Sequence, residues 1–95
     1  MTPKAIEFAK VETMRKHMLL TTAQMATLFG VSRVTYHSWV KGRAIRKANE
    51  AKVKSTLRHL LHVMTTHNWP SPDVVGMESK QRMVKLQTLL SASTL

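Results

Sequence analysis

Residues Leu20–Gly42, LTTAQMATLFGVSRVTYHSWVKG, carry two short helical patterns separated by a single glycine. Thr21 is a good helix N-cap, and Gln24 stands where its side chain can reach back to the cap, so the spacing predicts a capping box. A helix near Thr22 to Phe29 then places Met25, Ala26 and Phe29 on one face. Gly30 follows where a helix commonly ends in a left-handed residue, a conformation that glycine adopts without a Cβ penalty. Ser32 can cap a second helix reaching Val40, from which Val31, Tyr36 and Trp39 pack back onto Met25, Ala26 and Phe29. Arg33, Val34, His37 and Ser38 stay outside on that second helix, a short surface suited to a DNA groove.

The segment resembles the helix-turn-helix of the Cro/Xre family of phage and bacterial transcriptional repressors. The resemblance covers Val11 to Arg46 and rests on Arg15, Ala26, Gly30, the run Val31-Ser32-Arg33, and the ending from Trp39 to Gly42. It implies that the second helix enters the major groove and that Ser32, Arg33, Val34 and Ser38 occupy the base-reading positions. The sequence departs from the family at Val40, where a glutamate usually pairs with the arginine at the Arg15 position. Arg15 is therefore expected to bond backbone carbonyls near the end of the third helix, or to turn outward.

Charge points the same way. The chain has 95 residues, 15 Lys and Arg against 5 Asp and Glu, and a formal net charge of +10. From Thr13 to Pro72 the only acid is Glu50, while Arg15, Lys16, Arg33, Lys41, Arg43, Arg46, Lys47, Lys52, Lys54 and Arg58 all lie in that window. Solubility needs no such one-sided field, which favours a polyanionic partner. The absence of cysteine rules out a disulfide framework and thiolate metal sites, and fits a reducing cytoplasm. The first twenty residues are too charged for a signal peptide, and no apolar run approaches a membrane span, so a cytoplasmic protein is expected.

Around this centre the pattern predicts an all-α fold, a compact bundle of about five helices containing the helix-turn-helix. Thr2-Pro3 is a helix start signal, and Phe8, Val11, Met14 and Met18 make one buried stripe of a helix from Pro3 to His17. A longer amphipathic helix from Arg46 to His67 carries Val53, Leu57, Leu60, Leu61 and Met64, a stripe suited to closing the core and, less simply, to lying on a membrane. The prolines of Asn68-Trp69-Pro70-Ser71-Pro72-Asp73 interrupt helix. The reading is a DNA-binding domain over residues 1–68, a linker over 69–78 and a C-terminal helix within 79–95. Trp69 is expected as an apolar plug on the core, with base stacking as the alternative. The last helix, from Ser79 to Ser91, shows Met83, Val84, Leu86, Leu89 and Leu90, which either cap the core or bury themselves against a second copy; the breadth of the stripe points to a dimer.

Within the expected interface, Arg33 can donate two bonds to the O6 and N7 of guanine, or can reach a phosphate instead. Val34 offers an apolar contact to a thymine methyl, Ser38 can bond a base edge, and His37 lies beside them. Thr21 and Thr22 sit at a helix N-terminus, whose free amides and partial positive charge suit a phosphate. Lys41 and Arg43 are placed to flank the opposite backbone, joined by Lys47. Tyr36 and Trp39 belong to the core by their spacing. His59, His62 and His67 are read as solvated histidines rather than metal ligands, and the sequence has no phosphate loop or nucleophile-base pairing, so neither an enzyme nor a cofactor is expected.

The expectation is a homodimeric, sequence-specific, double-stranded-DNA-binding regulator, more readily a repressor than an activator. Two alternatives keep the fold: an excision or architectural DNA-binding factor, and a small phage-type protein that binds a host protein such as RNA polymerase.

Overall fold

The computed structural model describes residues 6–92, which form six helices and no strand. In chain order these are α1 (Phe8–His17), α2 (Thr22–Phe29), α3 (Arg33–Val40), α4 (Lys47–Thr66), the single turn α5 (Pro72–Val75) and α6 (Ser79–Ala92). The all-helical bundle is as expected, with α5 the addition.

Helix α1 begins later than the Thr2-Pro3 signal suggests. Those two residues lie outside the described residues, but Ile6 and Glu7 are not helical and Glu7, at φ −91° and ψ 98°, stands as the N-cap. At the other end Leu19 takes φ 63°, a costly conformation for a side chain with a Cβ. The sharp turn it makes puts Met18 and Leu20 both into the core. The Leu20 amide donates to the Arg15 carbonyl at 3.1 Å, closing that turn.

The capping box forms as read: Thr21 Oγ1 accepts from the Gln24 amide and Gln24 Oε1 accepts from the Thr21 amide, each at 3.0 Å. At the far end of α2, Gly30 has φ 74°, and the amides of Gly30 and Val31 donate to the carbonyls of Thr27 and Ala26 at 3.0 Å. This is a Schellman closure, which satisfies the last carbonyls of the helix and reverses the chain. Ser32 Oγ then accepts from the Thr35 amide and starts α3. Folded back in this way, Tyr36 and Trp39 meet Phe29 with ring centroids 5.8 and 6.5 Å apart, and Phe8 of α1 reaches Trp39 at 5.5 Å. The four rings join α1, α2 and α3.

Arg15 corrects an expectation. It neither turns outward nor reaches the end of α3; its Nε donates to Glu12 Oε2 at 2.7 Å, its Nη2 to Glu12 Oε1 at 3.1 Å, and its Nη1 to the Leu20 carbonyl at 2.7 Å. Glu12 thus supplies, one turn back on the same helix, the acid that position 40 lacks. The hydrogen bond from Arg15 holds the Glu12 carboxyl below its ordinary pKa, and the same bond holds Arg15 above its own.

Helix α4 buries Val53, Leu60 and Val63, with Leu57 and Met64 half-buried against the core. Leu61, expected in this stripe, is 57% exposed. One residue beyond Leu60 it lies about 100° further round the helix, and Val63 takes the inward position.

Residues 69–78 contribute side chains to the core. Trp69, beyond a cis bond to Pro70, is buried and its Nε1 donates to the Met18 carbonyl at 3.0 Å, so it is the expected core plug. Val74 of α5 is buried as well. The C-terminal stripe follows it inward: Met83 and Leu86 are buried within the single chain, Leu89 and Leu90 are half-buried against the same core, and only Val84 is exposed, at 63%. Of the two roles expected of this stripe, capping the core or meeting a second copy, Met83 and Leu86 fill the first, with α6 packed on α4. Arg82 fastens it there, donating to the carbonyls of Val74 at 2.9 Å, Met77 at 2.7 Å, Val75 at 3.3 Å and Leu19 at 3.4 Å.

Candidate nucleic-acid interface

Helix α3 is held by its inner face, where Tyr36 and Trp39 are buried, and this decides what it can present. Arg33, Val34 and His37 are exposed, Val34 at 76%, while Ser38 is half-buried. Burial raises the Tyr36 hydroxyl well above its ordinary pKa, with its bond to Glu12 adding to the shift, so the ring is a neutral part of the core and not a surface contact.

Two clefts flank the exposed face of α3. One, of about 380 Å³, is lined by Thr22 from the first turn of α2 and by Arg33, Val34 and His37. The other, of about 480 Å³, includes Ser32, Val34, Thr35, Ser38 and Arg43, with Arg46 and Asn49 from the start of α4. Val34 is common to both and forms the ridge between them. No acidic residue lines either cleft. Arg33, Lys41, Arg43 and Lys47 are exposed, and Glu50 is occupied by Lys54 at 3.0 Å. Such a surface presents cationic groups to solvent with an apolar ridge among them.

The hydroxyls are more specialised than their residue types suggest. Ser32 Oγ donates to Thr35 Oγ1 at 3.0 Å while accepting from the Thr35 amide, so its work is capping and it keeps only acceptor capacity for a ligand. Ser38 Oγ donates to the Thr35 carbonyl at 2.7 Å and likewise turns only lone pairs outward. Either serine suits a donor such as the amino group of adenine or cytosine better than an acceptor.

At the start of α2 the Thr21 amide is committed to Gln24, leaving the first-turn amides of Thr22 and Ala23, which have no intrahelical acceptor, for an anion. Gln24 is itself anchored, donating through Nε2 to Ser79 Oγ at 2.9 Å and to the Ser79 carbonyl at 3.2 Å. The α2 terminus is thereby positioned by α6.

The structure brings Thr22, Arg33, Val34 and His37 together on one side, and Ser32, Val34, Ser38 and Arg43 on the other. Lys47 lines neither cleft; Arg46 and Asn49 do, with Thr35. Those three were not singled out from the sequence as site residues. Arg46 precedes a helix and its position beside α3 depends on the turn from Lys41 to Arg46, for which no local spacing rule exists.

Elsewhere, His59 Nδ1 lies 2.7 Å from the Ser55 carbonyl, and among the described residues no three His, Asp or Glu side chains gather as a metal site. No described helix is long and apolar enough to cross a membrane. Comparison with protein-family models, curated proteins and solved structures found no match.

Proposed function

We propose that this chain is a sequence-specific, double-stranded-DNA-binding transcriptional regulator of the helix-turn-helix type, similar to Cro/Xre repressors, with α3 as its major-groove helix. The observation that carries the reading is the placement of exposed Arg33, Val34 and His37 in one cleft with Thr22 at the α2 N-terminus. A helix-turn-helix uses that juxtaposition: the first helix meets phosphate and the second meets bases. Arg33 reads guanine by a bidentate bond, Val34 contacts a thymine methyl, and Ser38 accepts from a base amino group. Thr22 hydrogen-bonds a phosphate at the α2 N-terminus, and Lys41, Arg43 and Arg46 neutralise phosphates on either side. The net charge of +10 supplies the attraction that brings duplex DNA to this face. Bound at a promoter as two copies on an inverted repeat, the protein obstructs polymerase.

Selection of bound fragments from random duplex DNA, followed by affinity measurement at several salt concentrations, tests this. A short consensus is expected, with affinity falling by about 0.9 logarithmic units per tenfold rise in salt for each phosphate neutralised. Failure to enrich any sequence, or affinity indifferent to salt, would overturn it.

A further inference from the structure

On a side of the molecule that shares no residue with the α3 clefts, α1 and α4 leave an apolar groove of about 410 Å³. Ile6, Val11 and Met14 line one wall, and Leu57 and Leu61 the other. Leu61 is the informative residue, because α4 already has Val53, Leu57, Leu60 and Val63 for the core and leaves Leu61 57% exposed beside the groove. A second concavity continues beyond Arg58 and Leu61 along α4 to His62 and Thr65. An opening walled by two helices, apolar and containing a methionine, suits the apolar side chains of a third helix.

The charged residues decide what that helix carries. Lys10 is paired with Glu7 at 3.0 Å, whereas Arg58 is exposed and forms no ion pair or hydrogen bond among the described residues. A second copy is a poor occupant, because a symmetric α4 contact sets Arg58 against Arg58. We propose that the α1–α4 groove docks an acidic amphipathic helix of a partner protein, its apolar side chains seated against Leu61 and Met14 and a carboxylate on Arg58. Docking there is independent of the DNA reading, since it leaves α3 free.

The probe is a fluorescein-labelled synthetic peptide of about five helical turns, with leucines at i, i+3 and i+7 spacing and glutamates elsewhere, titrated against the full chain by anisotropy. Saturable binding is expected, weakened on the order of tenfold or more by Leu61→Asp and by Arg58→Glu and unchanged by Arg33→Ala. A peptide with lysine for glutamate should bind only the Arg58→Glu chain. Both substituted residues are exposed, and circular dichroism is the check that each variant is folded. If Leu61→Asp and Arg58→Glu leave affinity unchanged, or Arg33→Ala weakens it equally, the peptide follows net charge alone and the groove is not its site. If sedimentation shows a dimer that Leu61→Asp converts to monomer, the groove takes a second copy and the proposal falls.

Discussion

Tyr36 of α3 donates its hydroxyl hydrogen to Glu12 Oε2 of α1 at 2.6 Å, and the same carboxylate holds Arg15. One acid thereby ties α3 to α1 and to the α1–α2 turn, through the bond from Arg15 to the Leu20 carbonyl. The side chains of Arg15 and Glu12 are only 13% and 20% exposed, so the pair is shielded more than a surface ion pair.

Removing one partner should therefore be felt. Arg15→Met leaves the Glu12 carboxylate with Tyr36 as its remaining side-chain donor, and a loss of about 1–3 kcal/mol is expected in urea denaturation. Tyr36→Phe should cost less, about 0.5–1.5 kcal/mol. A negligible effect of Arg15→Met would mean that water replaces the guanidinium at no cost.

Acid should weaken the same link. The folded-state pKa of Glu12 is lowered, chiefly by the bond from Arg15, so its contribution is present above the ordinary carboxylate value and is lost as pH falls through the lowered one. Denaturation midpoints measured from neutrality downward should fall for the wild-type chain, and Glu12→Gln should flatten part of that slope.

On the surface, the bonds from Lys85 and Ser71 depress the exposed Asp73 carboxyl to about 2. Lys85→Ala should move its titration, followed by carbon-detected NMR, up toward the usual carboxylate range. An unchanged value would assign the depression to Ser71 instead.

Leu86→Ala removes a side chain with no exposed surface and should cost about 2–5 kcal/mol, whereas Val84→Ala, at an exposed position, should change stability by less than about 0.5 kcal/mol. Truncation after Pro72 should unfold the chain, because Val74, Met83 and Leu86 leave the core with it. A truncated chain that stays folded by circular dichroism would return α6 to the role of an interface.

At the α3 face, Arg33→Ala should relax base preference at one or two positions, about 1–3 kcal/mol of discrimination. Lys41→Ala and Arg43→Ala should weaken binding to all sequences alike and reduce the salt slope. Affinity profiles over a set of single-base operator variants distinguish the two outcomes.

The sequence by itself determined what neighbours within a turn or two decide: the Thr21–Gln24 box, the left-handed Gly30, the Ser32 cap and the helical faces that bury Phe29, Tyr36 and Trp39. Hydrogen-bonding reach and helical period set these, and both can be read from spacing. Tertiary structure alone decided which acid Arg15 and Tyr36 share, that Arg82 collects carbonyls from α5 and the Leu19 turn, and that the α6 stripe closes this chain's core. Several of these contacts join groups far apart in sequence: Tyr36 to Glu12 spans 24 residues, Trp69 to Met18 spans 51 and Arg82 to Leu19 spans 63. An apolar stripe specifies that a face must be covered; only the packed chain determines by what.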